Sequence, residues 1–83
     1  MTYTIVWEEA ALNAAARFLK DDADGLRQLM DAVDLLARQP RPEGTVEYGS
    51  PDLRRMYVGL YRVLYEITDS TVTVVVMHLG RTG

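Results

Sequence analysis

At 83 residues the chain has room for one hydrophobic core, so residues 1–83 form a single domain. A hydrophobic fraction of 48% excludes a disordered polymer, and the absence of cysteine excludes a disulfide framework and a thiolate metal site. The net charge of −3 counts against a chain whose whole surface binds nucleic acid.

The first element is a β-rich run, Tyr3 to Trp7, which predicts a short strand. No positive patch precedes an apolar run at the N-terminus, and no apolar stretch is long enough to span a bilayer. A cytoplasmic location, away from membranes, is therefore expected. From Glu8 the period changes. Leu12, Ala15, Ala16 and Leu19 recur at helical spacing in an alanine-rich segment. Lys20 to Gly25 breaks that helix, with Asp22 or Asp24 available to cap the next. In the second helix Leu26, Leu29, Met30, Val33, Leu36 and Ala37 make one apolar stripe, which ends before Pro40. Helices joined by so short a break should lie antiparallel and offer their stripes to one partner surface.

The remaining chain supplies that surface. After the loop from Pro40 to Gly44, Thr45 to Tyr48 reads as an added strand. Leu53 to Val58 and Tyr61 to Thr68 read as a hairpin turned at Gly59-Leu60, a dipeptide suited to a two-residue turn. Asp69-Ser70 turns the chain into a last strand from Thr71 to Leu79. Its run from Val74 to Met77 is apolar on both faces, which predicts an interior position. The class is α+β, with two N-terminal antiparallel helices packed on one face of a mainly antiparallel sheet.

Alternation divides the hairpin. Tyr61, Val63, Tyr65 and Ile67 share one side, and Arg62, Leu64 and Glu66 the other. Arg62 thus sits in an apolar strand, where an unpaired guanidinium would be costly. Arg54 and Arg55 must point to opposite faces, so at most one joins Arg62. Strict parity aligns His78 with Val72, Val74 and Val76, which directs it to the core. Tyr61, Tyr65, Trp7 and Phe18 read as core as well.

Charge is unevenly spread. Up to Asp52 five basic residues stand against ten acids, whereas from Leu53 onward Arg54, Arg55, Arg62 and Arg81 face only Glu66 and Asp69. The strand-rich half can present a basic face. There is no Gly-rich phosphate loop, no nucleophile elbow and no metal-ligand spacing, so neither cofactor nor metal is expected. An arginine cluster suits phosphate, because a guanidinium matches its oxygens bidentately. Fixed cations also stabilise the charge that builds up when an RNA 2′-hydroxyl attacks phosphorus.

Val58-Gly59-Leu60-Tyr61-Arg62-Val63-Leu64-Tyr65-Glu66-Ile67 closely resembles the central hairpin of RelE/ParE-type toxins of bacterial type II toxin–antitoxin systems. The order of elements around it is similar across essentially the whole chain, down to His78-Leu79-Gly80-Arg81. The resemblance implies the RelE-like fold and a toxin that acts as a ribosome-dependent, metal-independent mRNA endoribonuclease. Arg62 matches the arginine of the family's Tyr-Arg-Val-Leu-Tyr motif. Arg55 falls where the preceding strand carries a basic residue, and Arg81 lies in a segment resembling the basic C-terminal motif. These three are the catalytic candidates implied. Tyr57 stands where some members have a second basic residue; with His78 and Arg54 it is a candidate for RNA binding or acid–base work. The partners implied are the ribosome, mRNA and a cognate RelB- or Phd/YefM-like antitoxin in a hetero-oligomer.

Two departures open alternatives. Lys20 is the single lysine, so a lysine general base is missing, and the sequence reaches Gly83 without the C-terminal tyrosine that stacks on a base in some members. Both features suit a ParE-like, non-enzymatic inhibitor of DNA gyrase. Net acidity suits a degenerate, non-toxic module that retains only the antitoxin interface.

Overall fold

The computed structural model describes residues 2–82. Its elements are β1 (Thr4–Trp7), α1 (Glu9–Asp21), α2 (Ala23–Leu35), β2 (Val46–Ser50), β3 (Leu53–Val58), β4 (Tyr61–Thr68) and β5 (Thr73–Arg81). They form one five-stranded sheet in the order β1-β5-β4-β3-β2. β1 runs parallel to β5 and the other neighbours are antiparallel. The expected α+β class and the interior position of β5 both hold. Gly59 adopts φ 57°, which a hairpin turn of this length requires and a side chain would resist, so Val58 pairs directly with Tyr61.

One face of the sheet carries the core. Tyr61, Val63, Tyr65 and Ile67 of β4 are buried beside Met56, Val74, Val76 and Leu79. Leu26, Leu29, Val33 and Leu36 cover them from α2 and the turn after it. Each such side chain contributes roughly 1.5–3 kcal/mol on leaving water, so this layer holds the domain together. Among the described residues no helix is long and apolar enough to cross a membrane.

The stripe of α1 behaves differently from the expectation. Its buried residues are the small Ala11 and Ala14, while Leu12 and Leu19 are exposed. Alanines let the helix approach the sheet closely, and the larger stripe turns outward. There Leu12, Ala15, Ala16 and Leu19 meet Ala23, Leu26 and Met30 along an apolar groove of about 670 Å³ between the helices.

A single residue, Asp22, joins the helices. Its carboxylate caps α2 by accepting from the Gly25 amide at 3.0 Å and also accepts from the Tyr61 hydroxyl at 2.9 Å. A methyl group on Gly25 would collide with that carboxylate, which explains a glycine in the first helical turn. At the opposite end of the sheet, Tyr3 donates to Asp69 at 2.6 Å, and Arg41 bridges Asp52 and Asp69 at 2.7 and 3.3 Å.

These contacts predict how stability depends on acid. The Gly25 amide and the Tyr61 hydroxyl hold Asp22 below its ordinary pKa, and Tyr3 and Arg41 do the same for Asp69. Both carboxylates therefore bind protons less readily in the folded chain than in the unfolded one. Their contribution is complete above the ordinary aspartate pKa of about 4. It is lost as the pH falls through their lowered folded values. The urea midpoint should stay level from neutrality to about pH 5, then drop. Asp22→Asn combined with Asp69→Asn should make that drop shallower, whereas an unchanged acid slope would assign it to other groups.

Candidate functional site on the open face of the sheet

The helices cover only one face. On the other, residues opposite one another across the strands line up in rows. Val46, Arg55, Leu64 and His78 form one row; Tyr57, Arg62 and Gly80 form the next. Arg55, Arg62, Tyr57 and His78 are thus brought to one surface. Arg55, Arg62, Leu64 and His78, with Tyr48, line a cleft of about 400 Å³.

His78 reaches this surface through a break in parity. Leu64 pairs with His78 but the next residue of β4, Tyr65, pairs with Val76, which leaves Met77 as an extra residue in β5. Such a bulge shifts the alternation by one. Val76 and Leu79 are both buried, and His78 between them is exposed. The core position expected from strict alternation is therefore corrected.

Arg62 is exposed, so its charge stays in water and the cost anticipated for an apolar strand is not incurred. Among the described residues no carboxylate forms an ion pair with Arg62 or Arg55. The guanidinium of Arg62 crosses the bare backbone of Gly80. A carbon attached there would stand 3.1 Å from Arg62 Nε and 3.4 Å from His78 Nε2, so the two side chains converge over this glycine. Gly80→Val should displace both. A shifted His78 ring signal in the NMR spectrum with an unchanged circular dichroism spectrum is the expected result, and an unmoved signal would show that the two side chains do not meet over Gly80.

Arg55 is half-buried and held from two directions. Its guanidinium carbon lies 4.4 Å from the centre of the Tyr48 ring, and Nη1 donates to the Tyr57 hydroxyl at 3.4 Å. That hydrogen bond leads the effects that raise its pKa, so the cation is fixed in charge as well as position. Tyr48 was not singled out in the sequence. Gly49, with φ 85° beside a register shift in β2, makes the facing of Tyr48 hard to read from alternation.

Two candidates lie elsewhere. Arg54 points to the helix side, where it donates to the Thr45 hydroxyl and carbonyl at 3.0 and 3.2 Å and approaches Glu47 at 3.8 Å. It ties down the loop before β2. Arg81 pairs with Tyr61, and its guanidinium carbon stands 5.9 Å from that ring on the covered face. Its charge helps to hold Asp22 ionised. Arg81 is thus on the opposite face of the sheet from Arg55 and Arg62. Glu47 shares the covered side with Arg54, and Glu66 remains on the open face beside Leu53 and Val75.

Similarity to known proteins covers the whole architecture. The sequence model of the ParE toxin of type II toxin–antitoxin systems, parDE, matches residues 5–83. No curated protein matches the chain. A mutant E. coli RelE toxin in the free state superposes with a TM-score of 0.82 at 25% identity, covering 98% of this chain and 84% of that one. The intact E. coli RelBE toxin–antitoxin complex gives 0.79 at 26% identity, covering 98% of both chains. A YoeB/ParE toxin from Agrobacterium tumefaciens, at 15% identity, shares the fold with a TM-score of 0.76 over 96% of this chain and 98% of that one.

Proposed function

The chain belongs to the ParE toxin family of type II toxin–antitoxin systems, and for this toxin we propose, from the geometry of its open face, a ribosome-dependent endoribonuclease that cuts mRNA during translation. The observation that carries this reading is the convergence of Arg62, His78 and Arg55 on one uncovered cleft, with no carboxylate to neutralise the arginines among the described residues. Arg62 and Arg55 bind the non-bridging oxygens of the scissile phosphate. As the 2′-hydroxyl attacks phosphorus, negative charge on those oxygens grows, and both guanidiniums stabilise it more than the ground state. His78 gives a proton to the departing 5′-oxygen, and the 2′-hydroxyl proton leaves to solvent. The products are a cyclic phosphate and a free 5′-hydroxyl.

The reading needs a second macromolecule, because two arginines on an acidic chain give little affinity for free RNA. The ribosome supplies it by presenting mRNA in a fixed geometry, and the chain acts in the cytoplasm. Its inhibitor is a RelB- or Phd/YefM-like antitoxin; the E. coli relative above is solved as an intact toxin–antitoxin complex. The apolar groove between α1 and α2 suits the apolar face of an amphipathic antitoxin segment. Arg27 and Asp31 on its lining offer one charge of each sign to the polar flanks of that segment.

Inhibition of DNA gyrase without catalysis is the second reading. It is favoured by the absence of lysine from the open face, since the single lysine, Lys20, lies in α1. A reconstituted translation reaction and a supercoiling reaction separate the two. Fragments cut inside codons only when ribosomes are translating support the nuclease. Intact mRNA with blocked supercoiling would replace it with the second reading.

A further inference from the structure

Of the seven aromatic residues in the chain, five serve the core. Tyr61 and Tyr65 are buried, and Tyr3, Trp7 and Phe18 pack against them and their neighbours. The other two, Tyr48 and Tyr57, are 50% and 53% exposed. Both touch the same side chain, Arg55, one through its ring and one through its hydroxyl. Aromatic rings left in water on either side of one arginine do nothing for the fold that smaller residues would not do.

The arrangement is prepared for a flat ligand. Contact with the Tyr48 ring lays the Arg55 guanidinium along an aromatic face, and the hydrogen bond to Tyr57 restrains its remaining rotation. Part of the ordering of Arg55 is therefore in place before a ligand arrives, which lowers the entropy lost on binding. Aromatic rings and guanidinium planes both accept a nucleobase, because every base has a π face. Arg62 stands one row along the sheet from Arg55, roughly 7 Å away in the strand direction. That spacing lets the edge of the Arg55 guanidinium share a phosphate with Arg62 while its plane, beside the Tyr48 ring, faces a base of the same nucleotide or its neighbour.

We infer that Tyr48, Arg55 and Tyr57 form a nucleobase-stacking subsite, so that single-stranded RNA is held by a base on the faces of this platform and by a phosphate between Arg62 and the edge of Arg55. The inference rests on the ribonuclease reading above and assigns part of its substrate recognition. RNA suits this face better than a protein segment does. The cleft joins two unneutralised cations to the tyrosines, whereas the extended apolar seat lies between the helices.

The test compares, at low ionic strength and high protein concentration where weak phosphate contacts become measurable, a short fluorescent single-stranded RNA with an abasic strand carrying the same number of phosphates, titrated into the purified chain. Wild type should prefer the base-containing strand by about tenfold. Tyr48→Ala should abolish that preference without changing the salt dependence, which counts phosphate contacts. Tyr48→Phe should retain it. Arg62→Ala should weaken both strands alike, and circular dichroism checks that each variant is folded. Equal affinity of wild type for the two strands overturns the subsite, and so does a preference that survives Tyr48→Ala. If Tyr48→Ala instead lowers affinity for the antitoxin alone, the platform is a protein contact and the inference fails. Codon cleavage by wild type without base preference removes the subsite and leaves the ribonuclease reading; absence of cleavage removes both.

Discussion

Arg62→Ala is expected to abolish growth arrest and to slow RNA cleavage by roughly two to three orders of magnitude, the usual effect of removing one donor that stabilises a developing oxyanion. Thermal unfolding should not move. Arg62 is exposed, and among the described residues it forms no hydrogen bond or ion pair that the substitution would break. Its neighbours on the open face leave the core untouched. Arg62→Lys gives a finer comparison. A lysine keeps the charge but loses the planar fork, so partial activity would mean that the charge matters and full loss that bidentate geometry matters. If Arg62→Ala lowered stability as much as activity, the residue would instead belong to the scaffold.

The opposite pattern is expected at Leu29. It is fully buried near the middle of α2, within the layer formed by Tyr61, Val63 and Tyr65. Leu29→Ala removes buried methyl groups and leaves a cavity that rigid neighbours fill only in part, at a cost of about 3 kcal/mol. For a domain of this size that corresponds to a fall in Tm on the order of 15 °C. Small domains have little reserve, so part of the population should unfold at growth temperature. A calorimetric or fluorescence melt checks this directly. A shift of only a few degrees would show that α2 is loosely packed on the sheet. Activity per folded molecule should be preserved, because Leu29 has no route to the open face other than through the sheet itself.

Most of the fold was legible because its signals are local. Helical spacing in α2, the Gly-X dipeptide at Gly59 and alternation along β4 each depend on a few adjacent residues, and each matches the structure. Alternation failed at His78, where an extra residue in β5 reverses the facing of everything beyond it; no local residue type announces a bulge. The same reversal carries Arg81 to the covered face, so Arg81 separates from Arg62 although both lie on neighbouring strands. The helical stripe of α1 misled for another reason. Periodicity shows that a helix has an apolar side but not whether that side meets the core or a groove, and here alanines took the core position. Gly80 was part of a recognised segment, yet its role depends on a side chain from the next strand crossing it, which requires the register.

The most direct test is to map mRNA 5′ ends in bacteria that express either the wild-type chain or Arg62→Ala without antitoxin. The account predicts growth arrest with new ends inside translated codons for wild type, and neither for the variant at equal soluble abundance. Arrest by wild type with no new ends would contradict it.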